Sequence, residues 1–227
     1  MKVSVVMPVY NEKEFILPAL DRLAAINFPG LDKEVIVVDD GSTDGTKELL
    51  LKRQTEKVFF HQKNLGKGAA LMTGFAQCSG DIIAIQDADL EYDPNDLVKL
   101  VELVASGQAP VAYGSRMMGK NPVGHYAYYL GNKLISLVTR ILYGAALTDV
   151  ETGYKVFRKD VLDSVALSEP RFGFEIQFTV NVLKSHLVIK ELPIKYAPRQ
   201  FSQGKKIGWR DGVEALWLLI KYRFGSK

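Results

Sequence analysis

Three carboxylates recur at every second position in Ile82-Ile83-Ala84-Ile85-Gln86-Asp87-Ala88-Asp89-Leu90-Glu91, directly behind an apolar run. Side chains alternate faces along an extended chain, so Asp87, Asp89 and Glu91 project together if that conformation continues past the strand end. Hard oxygen ligands of this kind suit Mg²⁺ or Mn²⁺, ions that keep coordination positions open for a substrate's phosphates. The plain alternative is a solvated acidic turn, since aspartates also end strands.

Two further segments share the design. Val3-Ser4-Val5-Val6-Met7-Pro8-Val9-Tyr10-Asn11-Glu12 is an apolar strand stopped near Pro8, and Val35-Ile36-Val37-Val38-Asp39-Asp40-Gly41-Ser42 is another that ends in paired aspartates and a turn. Near-continuous apolar strands read as parallel and buried on both faces. In an open parallel sheet, ligands bind beyond the carboxyl ends of the strands, so three strands aim polar groups at one crevice. Helices over about 14–25, 43–52, 68–78 and 94–106 alternate with strands near residues 3, 35, 58, 82 and 110, a βαβ series. The expected architecture is an α/β protein with a mostly parallel, Rossmann-like sheet flanked by helices.

The 227 residues show no repeat or linker and suit one domain, with residues 1–115 as a nucleotide-binding half and 116–227 as an acceptor half. A net charge of +3 gives no pointer to nucleic acid. Residues 199–227 nevertheless hold seven Lys and Arg against Asp211 and Glu214, a local basic face suited to phosphate or an anionic membrane. The single cysteine, Cys78, excludes an internal disulfide and reads as a packed thiol in a reducing compartment. With no signal-peptide pattern and no apolar run of about 18 residues, the chain is expected to stay in the cytoplasm, peripheral on the membrane face. His61, His125 and His186 are too scattered for a zinc site.

Pro8-Val9-Tyr10-Asn11-Glu12, Val38-Asp39-Asp40-Gly41-Ser42-Thr43-Asp44, Asn64-Leu65-Gly66-Lys67-Gly68 and Asp87-Ala88-Asp89 together resemble the family 2 inverting glycosyltransferases of GT-A fold. Gly114-Ser115-Arg116, Thr152-Gly153-Tyr154-Lys155, and Arg199 followed by Gly204-Lys205-Lys206 are similar to the subgroup that loads sugars onto polyprenyl phosphates, which includes the dolichyl-phosphate mannose synthases. The resemblance implies a nucleotide-sugar donor such as GDP-mannose or UDP-glucose, held by Pro8, Tyr10, Glu12, Asp39 or Asp40, Lys67, Asp87 and Ala88. It also implies a Mg²⁺ or Mn²⁺ ion on Asp87, Asp89 and Glu91, with Asp89 foremost, acting as a Lewis acid on the diphosphate leaving group. Many family members carry Gln where this chain has Glu91.

Arginine's bidentate fork suits Arg116 to the diphosphate, while Arg199 with Lys205 and Lys206 would take the acceptor phosphate. A lipid phosphate is already anionic and needs no base; a hydroxyl acceptor needs one, for which Asp149 and Glu175 are the candidates. The alternatives are a transferase with a saccharide or other hydroxyl acceptor, or a nucleotide-sugar-binding subunit that needs a membrane-anchored partner. A dinucleotide enzyme is disfavoured because no Gly-x-Gly-x-x-Gly follows the first strand.

Two segments read as amphipathic helices. Over 132–146, Leu134, Val138, Ile141, Leu142 and Ala145 form one face and Lys133, Ser136 and Arg140 the other. Over 209–224, Val213, Leu216, Trp217 and Ile220 oppose Asp211, Glu214 and Lys221. Each apolar face is expected to meet either the core or a membrane surface.

Overall fold

A computed structural model describes residues 1–53, 55–199 and 209–225. In chain order the elements are β1 (Lys2–Val9), α1 (Ile16–Ala25), β2 (Asp32–Asp39), α2 (Thr46–Leu50), β3 (Lys57–Phe60), α3 (Lys67–Ala76), β4 (Ile82–Ile85), α4 (Asn95–Ala105), β5 (Val111–Ser115), α5 (Tyr126–Tyr143), β6 (Lys155–Arg158), α6 (Val161–Ser164), α7 (Gly173–Lys184), β7 (Ile189–Pro193) and α8 (Trp209–Phe224). The strands form one sheet in the order β3-β2-β1-β4-β6-β5-β7. The pairs β1-β2, β1-β4, β2-β3 and β5-β7 are parallel, and β6 runs antiparallel between β4 and β5. This is the mostly parallel, helix-flanked sheet that the strand pattern anticipates.

The period-two alternation of β1 divides the core. Val3, Val5 and Met7 pack with Ile16, Leu20 and Leu23 of α1 and with Leu97, Leu100 and Val104 of α4. Val6 faces the opposite layer, with Leu71 and Phe75 of α3, Phe174 and Phe178 of α7, and Leu218 and Leu219 of α8. After β3 the chain returns past β1 and lays β4 on its other side, so winding reverses between β1 and β4. Such a reversal opens a crevice at the carboxyl ends of the strands.

The two amphipathic helices are oriented differently from the simple reading. Helix α5 starts earlier, at Tyr126, and buries Asn132, Ile135, Ser136 and Thr139. Leu130, Leu134, Leu137 and Ile141 are exposed instead. Each buried polar side chain makes a bond: Asn132 Nδ2 donates to Asp149 Oδ1 at 2.8 Å, Thr139 donates to the Ile135 carbonyl at 2.9 Å, and Ser136 Oγ accepts from Val150 N at 3.4 Å. Helix α8 buries Ala215, Leu218 and Leu219 and exposes Val213, Trp217, Ile220 and Phe224. The two helices pack together, with Tyr143 Oη donating to the Leu219 carbonyl at 2.8 Å.

Candidate active site

The carboxyl ends of β1, β2 and β4 open on a cavity of about 390 Å³ whose lining includes Pro8, Tyr10, Glu12, Asp40, Lys67, Asp87, Ala88, Asp89, Glu91 and Arg199. Asp39 lies behind it, wholly buried, where its carboxylate accepts from the Ser42 hydroxyl and amide. Burial raises its pKa despite those bonds. Asp40 reaches the cavity wall while clamping the following loop: it accepts from Leu65 N at 2.9 Å and Gly66 N at 2.7 Å and lies 2.7 Å from His61 Nδ1. Gly66, at φ +106°, has no room for a side chain, because a Cβ would stand 2.3 Å from the Pro170 carbonyl.

The Asp87–Glu91 segment reaches the cavity by a route other than the expected extension. Strand β4 stops at Ile85, and Leu90 adopts φ 61°, a left-handed conformation that leucine rarely takes. The turn still brings Asp87, Asp89 and Glu91 to one wall. Asp89 Oδ1 accepts from Glu91 N at 3.1 Å, and Glu91 Oε1 accepts from Arg199 N at 2.8 Å. Burial, then the charges of Asp87 and Glu91, push the Asp89 carboxyl above the ordinary range, and Arg199 opposes them.

Among the described residues no three carboxylate, histidine or cysteine side chains converge into a metal shell, so the expected trio is not a preformed ligand set. The donor chemistry fits a hard ion nonetheless, since Mg²⁺ is commonly held by one or two carboxylates with substrate phosphates and waters completing its shell. A cation already stands at this wall: Arg199 Nη2 lies 3.4 Å from Asp89 Oδ2. Asp89 and Asp87 are the residues that would hold the ion.

Asp87 is braced from behind. Lys67 Nζ lies 2.9 Å from Asp87 Oδ1 and 2.9 Å from Glu175 Oε1. Burial works against the Lys67 charge, but the two carboxylates more than offset it and hold the ammonium protonated. Gly153 touches Asp87 from the other side, where a Cβ would stand 2.1 Å from Oδ2. Tyr154 Oη donates to Gln86 Oε1 at 2.6 Å, and Gln86 Nε2 donates to the Asp87 carbonyl at 2.9 Å. The Thr152-Gly153-Tyr154-Lys155 motif is thus a scaffold under the acidic turn, a role its residue types alone did not disclose.

A second cavity of about 610 Å³ adjoins the first, sharing Glu91 and Asp211 with it. It is lined by Arg116, Met117, Val123, Tyr128, Leu134, Ile135, Tyr196, Val213 and Leu216, among others. The two arginines line different cavities. Arg116 lines this apolar cavity, while Arg199 lines the polar one beside Glu12, whose Oε2 it holds at 2.9 Å. Asp149 is not an open carboxylate: it accepts from Arg116 N at 2.8 Å, Nε at 2.7 Å and Nη2 at 2.7 Å, and from Asn132. Burial opposes its charge, but Arg116 holds the carboxyl below the usual range. With both oxygens engaged it is placed as a partner for Arg116, where a base had been considered.

Glu151, which carries no motif of its own, lines the apolar cavity, and its buried Oε1 has no hydrogen-bond partner. Burial, reinforced by Glu175, raises its pKa to about 7. Its only sequence signal was an acid immediately before the Thr-Gly-Tyr-Lys motif. Lys205 and Lys206 lie outside the described residues.

The fold and paired cavities define a GT-A type glycosyltransferase scaffold. Glucosyl-3-phosphoglycerate synthase of Mycobacterium tuberculosis, solved with Mn²⁺, UDP and glucosyl-3-phosphoglycerate, superposes with a TM-score of 0.78 at 21% identity, covering 100% of this chain and 81% of that one. Residues 4–166 match the model for glycosyl transferase family 2, and the chain belongs to that family. It is 33% identical over 91% of its length to the low-salt glycan biosynthesis hexosyltransferase of Haloferax volcanii, and 32% identical over 92% to the dolichol-phosphate mannosyltransferase of Pyrococcus furiosus. The chain spans 51% and 60% of those two relatives' lengths.

Proposed function

We propose that this protein transfers a hexose from a nucleotide sugar to a polyprenyl phosphate, with inversion at the anomeric carbon. The observation that carries the reading is the pair of adjoining cavities, one polar at the strand ends and one apolar, meeting at Glu91 with Arg116 in the apolar wall. The polar cavity suits a nucleoside diphosphate sugar: Tyr10, Glu12 and Asp40 would face the nucleoside, and Arg199 the diphosphate. A bound Mg²⁺ or Mn²⁺ would neutralise charge on the leaving diphosphate. Arg116, fixed by Asp149, would present a rigid guanidinium to the acceptor phosphate. That phosphate needs no base, in keeping with the engagement of both Asp149 oxygens by Arg116 and Asn132. The names of the relatives, which concern a dolichol phosphate and an undecaprenyl phosphate among others, support the acceptor class.

A membrane surface is part of the same proposal. Leu134 and Val213 line the apolar cavity and also belong to the exposed stripes Leu130-Leu134-Leu137-Ile141 of α5 and Val213-Trp217-Ile220-Phe224 of α8. Each stripe follows intervals of four, three and four residues, one face of a helix. Lys133, Arg140, Lys221 and Arg223 lie on these helices, as on interfacial helices beside anionic lipid. Among the described residues no helix is long and apolar enough to cross a membrane. In this reading the protein sits peripherally on the cytoplasmic face, alone or beside a membrane-anchored subunit, with the exposed stripes of α5 and α8 as its contact.

Glu151 favours one second reading. Glu151 lines the apolar cavity, and its carboxyl could take a proton from a hydroxyl acceptor there. The deciding experiment supplies labelled GDP-mannose or UDP-glucose with Mn²⁺ and a short polyprenyl phosphate. Label entering the organic phase, lost in Asp89→Asn, is the expected result. Donor hydrolysis with no lipid product, or transfer only to sugar hydroxyls, would overturn the lipid acceptor.

A further inference from the structure

Behind the acidic turn, four charges alternate in sign across elements far apart in sequence, two of them half-buried at the cavity and two buried behind it. Asp87 follows β4, Lys67 opens α3, Glu175 lies in the first turn of α7, and Lys155 opens β6. Lys67 Nζ bridges Asp87 Oδ1 and Glu175 Oε1 at 2.9 Å each, and Glu175 Oε2 lies 3.6 Å from Lys155 Nζ. Lys155 is completely buried and Glu175 is 4% exposed. Lys155 donates to the Val150 carbonyl at 3.2 Å and also to the Thr152 carbonyl. Those carbonyls flank Glu151, on the loop that also carries Asp149. One end of the charge line is therefore a wall of the polar cavity, and the other end holds the loop that lines the apolar one.

We propose that Glu175 is a positioning residue that sets the donor-side carboxylate Asp87 in register with the acceptor-side loop 149–152, through Lys67 on one side and Lys155 on the other. Lys67 divides its ammonium between two carboxylates, which leaves Asp87 able to share an oxygen with an incoming cation. Without the Glu175 charge, Lys67 has Asp87 as its one anionic neighbour and closes on it, in competition with the ion. Lys155 simultaneously loses its counter-charge, and the loop it holds loosens. A buried ammonium left alone is strongly disfavoured, so the arrangement behaves as a unit.

This inference rests on the donor-site reading above, and two measurements separate them. The first needs no ligand: thermal unfolding in EDTA of the native protein, Asp87→Asn, Glu175→Gln and the double variant. Because both carboxylates serve one ammonium, the double variant is expected to lose more in Tm than the sum of the single losses, whereas additive losses would overturn the shared role. The second is calorimetric binding of UDP and of GDP, each with Mn²⁺. Glu175→Gln is expected to weaken whichever nucleotide binds at least tenfold, and Glu175→Asp, which keeps the charge, to recover part of that loss. Unchanged affinity in Glu175→Gln would overturn the positioning role even if the double variant fails to fold. Native protein that binds neither nucleotide would instead count against the donor-site reading, while the thermal cycle still decides the coupling.

Discussion

Arg199 and Asp89 face each other across the wall of the polar cavity, with guanidinium Nη2 3.4 Å from carboxylate Oδ2. The same guanidinium holds Glu12 through Nη1 at 2.9 Å, and Glu91 takes the Arg199 backbone amide. One cation thus faces two acids, Asp89 and Glu12, while the same residue's backbone amide engages a third. Arg199→Ala is expected to lower Tm by several degrees in EDTA, a loss of about 1–2 kcal/mol at about 2–4 °C each. Mg²⁺ or Mn²⁺ should recover most of it. A Tm that ignores both the substitution and the ion would show that this positive charge has no such role.

Gly153 offers a steric test of the acidic turn. A methyl there would stand 2.1 Å from Asp87 Oδ2 and 3.1 Å from the Tyr92 ring. Gly153→Ala should destabilise the fold by about 1–3 kcal/mol, the usual range for overpacking a filled interior. It should also weaken Mn²⁺-dependent nucleotide binding, because Asp87 must move. Wild-type affinity in a folded Gly153→Ala protein would disprove the close brace.

Asp149 is wholly buried against Arg116. Asp149→Asn leaves a half-buried guanidinium without its counter-charge, and urea unfolding should register a loss of about 2–3 kcal/mol, less than the full cost of breaking a wholly buried pair. A catalytic base at the same position would give the opposite pattern, intact stability with turnover abolished.

Glu34 makes the fold sensitive to acid. Burial pushes its carboxyl up, but bonds from Lys57, Ser4, Lys2 and Ser79 outweigh that and hold it well below the ordinary range. A carboxyl depressed in the folded state adds stability above its unfolded pKa of about 4.3, and that stability fades as pH falls below this value. Glu34→Gln should therefore lower Tm at pH 7, and the gap from the native protein should narrow toward pH 3. A gap independent of pH would rule out this linkage.

Trp217 and Ile141 are 57% and 71% exposed, so replacing both with serine should leave Tm almost unchanged. Co-sedimentation with vesicles containing anionic lipid should nevertheless drop several-fold. Equal recovery of native and substituted protein in the supernatant would remove the lipid-facing role of α5 and α8.

The crevice at the strand ends was largely legible in the sequence. Strands β1, β2 and β4 are apolar runs of the right length, and their ends carry Tyr10, Asp40 and Asp87 in order. What escaped was set by contacts distant in the chain. The apolar face of helix α5 fits core or membrane equally by its pattern; Asn132 meeting Asp149 turns Leu134 and Ile141 outward. The placing of Arg116 and Arg199 in separate cavities depends on Asp149 and Glu12, which no local spacing reveals. Leu90 reads as strand by residue type, yet the turn overrides its preference. Lys155 reads as a surface lysine until Glu175 and two carbonyls surround it.

The antiparallel strand β6 has a consequence for how the chain is made. β4 and β5 are neighbours in sequence, but each pairs with β6 and neither with the other. On the ribosome, the strands up to β4 can assemble as they emerge, while β5 must wait about 40 residues for its partner. Synthesis therefore passes through a stage with two unpaired strand edges, and a fragment ending at residue 115 would be arrested there. Slow passage through that stage would favour aggregation over assembly, a hazard of late-arriving central strands.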